Sequence, residues 1–183
     1  KNKNKIKKKQ NLKTIKIGYF GLISDSSNSY RDVKIIYKSL NNNSKLNFTF
    51  YGNSIIKNNK IKNYKKFKFK KSVSYFKALS KMREFDYLLI LHTEKSTSKE
   101  VVTGKFYEYL SSCTPIILIS NGETEVGRMI KKFNLGYVND YSKESLDKFL
   151  YNLKKNKFKF KKLKNVNKFS RDEQNKKLMK IIN

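Results

Sequence analysis

Short apolar runs alternate along this chain with longer amphipathic segments, and the alternation leaves few folds open. Thr14 to Phe20 predicts a buried strand, ended by Gly18 and Gly21 and a Ser-, Asp- and Asn-rich loop through Ser29. Arg31 to Leu40 sets Val33, Ile36, Tyr37 and Leu40 at helical spacing. Leu46 to Tyr51 alternates as a strand closed by Gly52 and Asn53, and residues 54–64 read as loop. Lys65 to Lys71 alternates Lys and Phe as a strand near a sheet edge does. Ser74 then caps a helix through Met82 whose apolar face is Tyr75, Phe76, Leu79 and Met82, with Tyr75, Phe76 and Phe133 assigned to the core.

The second half repeats the pattern. Tyr87 to Leu91 predicts a strand, Glu94 to Val102 a polar loop, and Thr103 to Ser111 a helix with Thr103 as N-cap. Pro115 to Ile119 is a strand, Asn121 and Gly122 a turn, and Thr124 to Phe133 a helix closed near Asn134 and Gly136. Tyr137 and Val138 add a short strand, Ser142 caps a helix from Lys143 to Lys154, and Arg171 to Ile182 forms a last helix. Strands alternating with helices imply right-handed βαβ units, hence an α/β, Rossmann-like, doubly wound and mostly parallel sheet flanked by helices. The organisation expected is a basic start over 1–13, a Rossmann-like domain over 14–155, and a basic segment with a C-terminal helix over 156–183.

Charge would ordinarily put nucleic acid or an anionic membrane first, since 43 basic residues face 14 acidic ones for a net +29. Only four of the basic residues are Arg, the residue that base-reading interfaces favour, and the Lys and Asn surplus matches an A/T-rich coding sequence. Lys1 to Lys13, Lys57 to Lys71 and Lys154 to Lys168 hold 23 lysines and no acid, so the other 140 residues carry only +6. The word Lys-Phe-Lys-Phe-Lys-Lys at 66–71 and 157–162 reads as composition rather than architecture. One cysteine, Cys113, excludes an intrachain disulfide and reads as a small buried residue; one histidine, His92, removes most metal sites. No apolar stretch approaches the length needed to cross a bilayer, and the basic start has no apolar region behind it. The chain also begins without Met and is expected to be a piece of something longer, in a reducing, cytoplasmic setting.

Doubly wound sheets bind ligands where helix amino ends face the carboxyl ends of strands. The informative helix start here is Thr103-Gly104-Lys105, where a glycine lets backbone amides approach a phosphate and a lysine adds a cation. Glu108 lies four residues after Gly104, on the same helix face, where a carboxylate can accept from the vicinal hydroxyls of a ribose. His92 closes its strand on the same side, read as structural before donor-contacting.

The run 103–118, Thr-Gly-Lys-Phe-Tyr-Glu-Tyr-Leu-Ser-Ser-Cys-Thr-Pro-Ile-Ile-Leu, resembles the G-K-x-x-E-Y-L-x-x-x-x-P-hydrophobic signature in the C-terminal domain of GT-B glycosyltransferases of the family 4 (group 1) type. Upstream, Ile17 to Gly21 followed by Arg31 resembles that domain's opening strand, glycine loop and basic residue; downstream, Asn121 to Ile130 and Leu135 to Val138 resemble its next helix and strand. The resemblance implies a nucleotide-sugar donor linked to UDP, GDP or ADP, no cofactor and no essential metal, and a separate N-terminal domain that holds the acceptor. It implies that Glu108 holds the ribose, Thr103, Gly104 and Lys105 face the diphosphate, Arg31 neutralises it and Gly21 makes room for it. Glu100, eight residues before Glu108, fits a donor-sugar contact or an exposed loop residue equally. The family's second basic residue is replaced by Ser26. The alternative is a noncatalytic basic module binding nucleic acid or an anionic membrane; within the glycosyltransferase reading, the lysines favour a membrane-borne acceptor over nucleic acid.

Overall fold

The computed structural model describes residues 14–26, 29, 31–40, 45–92, 102–155, 163 and 166–182. Six strands form one parallel sheet: β1 (Ile15–Phe20), β3 (Leu46–Tyr51), β5 (Phe67–Lys70), β6 (Tyr87–His92), β7 (Ile116–Ser120) and β8 (Gly136–Asp140), in the order β5-β3-β1-β6-β7-β8. The chain thus starts at the centre, winds outward through β3 to β5, returns to β6 beside β1, and winds out the other way. Such a path is a doubly wound Rossmann-like fold, as the alternation predicts.

Both faces of the sheet are covered, which is why its strands read as near-continuous apolar runs. On one face Ile17, Phe48, Leu89 and Ile117 pack with Ile36 of α1 (Lys34–Ser39), Ile61 of α2 (Asn59–Lys62) and Leu146, Phe149 and Leu153 of α6 (Lys143–Lys154). On the other, Phe20, Leu88, Ile90 and Leu118 pack with Met82 of α3 (Tyr75–Met82), Phe106, Tyr109 and Leu110 of α4 (Gly104–Ser111), and Val126 and Ile130 of α5 (Glu125–Lys132). Each such side chain stabilises the fold by roughly 1.5–3 kcal/mol. Leu163 and Phe169, the latter in a 3₁₀ turn at Val166–Phe169, join this second face, and α7 (Arg171–Ile182) follows.

Several local expectations change. Gly18 does not end β1; it pairs with Thr49 and Leu88 inside the sheet, and a Cβ there would lie 2.6 Å from the Phe85 ring. The segment 54–64 is not all loop. Ser54–Ile55 (β4) pairs in parallel with Ile23–Ser24 (β2), and α2 starts where the Asn58 side chain accepts from the Lys60 and Ile61 amides. Half of the apolar face expected on α3 lies outside the core: Tyr75 is 57% and Phe76 82% exposed at the start of the helix, while Leu79 packs partly buried against the second face and Met82 is buried in it. Ser74 occupies the N-cap position without a capping hydrogen bond. Cys113 is half-buried rather than buried, and takes a left-handed conformation (φ 57°) after α4. Thr124 and Ser142 do cap their helices, accepting from Gly127 and Ser145. Among the described residues no helix is long and apolar enough to cross a membrane.

Candidate functional site

The winding direction reverses between β1 and β6, and the crevice at the carboxyl ends of these strands is where a fold of this kind holds ligands. Four of the sequence-nominated residues come together around it. β1 leaves the sheet at Gly21, whose φ of +127° lies in the region that suits glycine. A Cβ at Gly21 would stand 3.1 Å from Lys105 Nζ. Lys105 belongs to the first turn of α4, yet its side chain crosses the end of β1 and sets Nζ 3.9 Å from the centroid of the Tyr19 ring. Tyr19 is 1% exposed and its hydroxyl donates to the Leu22 carbonyl at 2.7 Å, so the amine rests on a fixed aromatic platform.

Arg31 stands near enough for its charge to act on both Lys105 and His92. Its backbone is tied down, the amide donating to Ser29 Oγ at 3.2 Å and the carbonyl accepting from Ser24 N–H at 3.2 Å. Burial, reinforced by Arg31 and opposed by Glu108, pushes the Lys105 ammonium down to about 7. His92 is 2% exposed, and burial, followed by Lys105 and Arg31, pushes its imidazole below the ordinary 6.5. Among the described residues, three groups able to carry positive charge thus lie close enough to act on one another, with Glu108 the carboxylate that acts on Lys105. Such a constellation is short of negative charge, and an anion is the ligand it suits.

Helix α4 is anchored to the sheet by Tyr109, a fully buried residue whose hydroxyl accepts the Phe20 N–H at 3.0 Å. This hydrogen bond sets the amino end of α4 beside the end of β1. Gly104 is exposed, and a Cβ there would meet no protein atom within 4 Å, so packing does not require glycine and the space above the helix start is open. Thr103 stands at the N-cap position but donates no cap: its hydroxyl makes no capping hydrogen bond and is buried without a partner. Glu108 is half-buried and lines, with Gly104, Tyr107, Ser111, Tyr75 and Phe169, a groove of about 810 Å³ on the outer side of α4. Its charge also acts on Lys105, favouring the ammonium form. Glu100 lies outside the described residues.

Sequence reasoning gave no role to Tyr19 and Tyr109, and weighed His92 as structural. Their signal is positional. Tyr19 and Phe20 are the last residues of the central strand, and His92 is the last of its neighbour, so each stands at the edge where the crevice opens. Among the described residues no three His, Cys, Asp or Glu side chains lie close enough together to hold a metal ion.

No protein family matches the chain by sequence pattern, and no curated protein matches it. Solved structures do. The apo form of the glycosyltransferase GlyE from Streptococcus pneumoniae superposes with a TM-score of 0.53 at 13% identity, over 80% of this chain and 34% of that one. HepE from Anabaena, solved in complex with UDP-glucose, gives 0.55 at 11% identity, over 79% and 40%. The UDP-GlcNAc 2-epimerase from Methanocaldococcus jannaschii gives 0.51 at 16% identity, over 90% and 45%. The chain thus spans less than half the length of each of these proteins. At such identities the likeness is one of fold: this chain has the Rossmann-like fold found in GT-B glycosyltransferases.

Proposed function

We propose that this chain is the nucleotide-sugar-binding domain of a GT-B glycosyltransferase, the C-terminal half of a family 4 (group 1) type enzyme, paired with an N-terminal domain that presents an acceptor hydroxyl. The observation that carries the reading is the reach of Lys105 from the α4 start across Gly21 to the Tyr19 ring, within the field of Arg31 and Glu108. Cations gathered at one side of the helix start, with a carboxylate one turn further on, match the two ends of a nucleoside diphosphate. Lys105 and Arg31 receive the diphosphate, Gly104 leaves its oxygens room beside the backbone, and Glu108 accepts hydrogen bonds from the ribose. HepE, of the same fold, was solved with UDP-glucose.

In transfer, the bond from the anomeric carbon to the diphosphate oxygen breaks, the acceptor oxygen bonds to that carbon, and the hydroxyl proton passes to the departing diphosphate and on to solvent. Negative charge then grows on the diphosphate, and the α4 amides, Lys105 and Arg31 stabilise it where it develops. That arrangement needs no divalent ion, and we expect no cofactor. Glu100 remains the candidate contact to the donor sugar. The epimerase of the same fold is also named for a sugar-nucleotide substrate. The basic module reading rests on the exposed lysines at Lys57, Lys60, Lys62, Lys68 and Lys70 and draws nothing from Glu108.

Titration calorimetry with UDP-glucose, GDP-mannose and ADP-glucose tests the proposal. Binding of one of the three, lost in Glu108→Ala, is expected. If none binds, or if binding ignores Glu108 and instead falls steeply with salt for nucleic acid or anionic vesicles, the nucleotide reading is wrong.

A further inference from the structure

His92 is a buried imidazole that the proposed site does not yet use. It is the last residue of β6, two positions beyond Ile90 and four beyond Leu88, both of which pack against α4 and α5. Its side chain therefore stands on the sheet face that carries the start of α4. Its backbone is held, the carbonyl accepting from Asn121 N–H at 3.0 Å. The ring is 2% exposed, and Nδ1 is buried without a hydrogen-bond partner. Leaving such a polar atom unpaired is unfavourable, and a ligand that pairs with it recovers that loss. Thr103 Oγ1, at the head of α4, is a second buried polar atom without a partner. Both residues stand at segment ends near the point where the strand winding reverses, His92 closing β6 and Thr103 opening α4 two residues before Lys105.

We propose that His92 is a ligand-contacting residue, meeting the phosphate oxygens through Nδ1 alongside Lys105 and Arg31, and that the site takes up a proton as the diphosphate enters. This rests on the nucleotide-sugar reading and extends it. Among the described residues, the charged groups that act on His92 are Lys105 from α4 and Arg31 from the segment before α1, both positive, while Glu108 acts on Lys105. Mutual repulsion and burial by themselves favour the neutral amine and the neutral imidazole. A doubly negative diphosphate reverses the balance: each proton added to Lys105 or His92 then completes an ion pair instead of crowding a cation. The protons come from solvent and no bond of the ligand changes. Proton uptake makes affinity depend on pH, falling by up to about tenfold for each unit above pH 7, where Lys105 is neutral in the empty site.

The chain has one histidine, so histidine-labelled protein gives a single imidazole signal without any substitution. The probe is UDP-glucose, whose diphosphate diester has no proton to gain or lose near neutrality; GDP-mannose and ADP-glucose are run beside it. In nitrogen NMR the His92 ring is expected to titrate below 6.5 without ligand, and to shift upward on saturation with a change at Nδ1. Calorimetry at pH 7.5 in two buffers of different ionisation enthalpy is expected to report between about half and one proton taken up per ligand bound. A nucleotide sugar that binds without moving the His92 signal, or without proton uptake, overturns the proposal and leaves the binding site standing. Failure of all three to bind overturns both.

Discussion

Replacing Lys105 by methionine separates what this residue does for a ligand from what it costs the fold. Methionine keeps the unbranched length, and its sulfur can rest on the Tyr19 ring that Nζ now overlies at 3.9 Å. What disappears is a charge whose ordinary value of 10.5 burial and Arg31 have pushed down to about 7. That gap corresponds to about 5 kcal/mol of opposition to the charged form. Because Lys105 is only partly covered and the site relaxes, about 2–3 kcal/mol is the gain expected on removing it. Below pH 7 the amine is charged in both the folded and the unfolded chain, so the whole cost is present. Between 7 and 10.5 only the unfolded chain holds the proton, so the parent protein gains stability as pH rises and the cost fades. Urea unfolding followed by circular dichroism at pH 6, 8 and 9.5 reads this directly. Lys105→Met is expected to be more stable at pH 6, with a melting temperature roughly 5–10 °C higher, and the difference should shrink steadily toward pH 10. A variant no more stable than its parent at pH 6, or a difference independent of pH, refutes the argument that the cation is held against its own preference. The same variant should lose nucleotide binding, so one substitution strengthens the empty protein and disables the site.

Two further outcomes follow from the geometry. Tyr109→Phe removes the acceptor for the buried Phe20 N–H, and should lower stability by about 1–3 kcal/mol in the same unfolding assay while weakening nucleotide binding, because α4 loses its tie to β1. Gly136→Ala puts a Cβ against the Ile116 carbonyl at a φ of +152°, and should abolish the cooperative thermal transition; an alanine variant that melts like its parent would contradict the β7–β8 register.

Most of the sheet was legible because strands covered on both faces must be apolar along their length, and Leu46 to Tyr51 and Tyr87 to Leu91 cannot be much else. The β2–β4 pair and α2 were not, since two-residue strands carry no periodicity and Asn58 caps a helix of one turn within a stretch of Asn and Lys that reads as loop. Tyr75 and Phe76 misled for the opposite reason: their spacing is helical and apolar, but a pattern says which face is greasy and not whether anything lies against it. At the site, Lys105 and Glu108 stood out by residue type at a helix start with a glycine, whereas Gly21 and Arg31 were pointed to only by the family resemblance. The crossing of Lys105 over Tyr19 and the company His92 keeps depend on β1 and β6 being neighbours, a relation between residues 70 apart that no local window contains.

The lysines of β5 have a consequence for how copies of the chain meet. Among the described residues β5 ends the sheet, with Phe67 buried and Phe69 partly buried on the core side and Lys68 and Lys70 exposed on the other. An unpaired strand edge invites a second molecule to extend the sheet. A second β5 laid beside the first would bring its own lysines to about 5 Å from these, and the approach would be repelled before the backbone bonds could form. A composition drift toward lysine thus guards the one edge of the sheet that alternating phenylalanines would otherwise make adhesive, at a distance from the crevice where Lys105 meets its ligand.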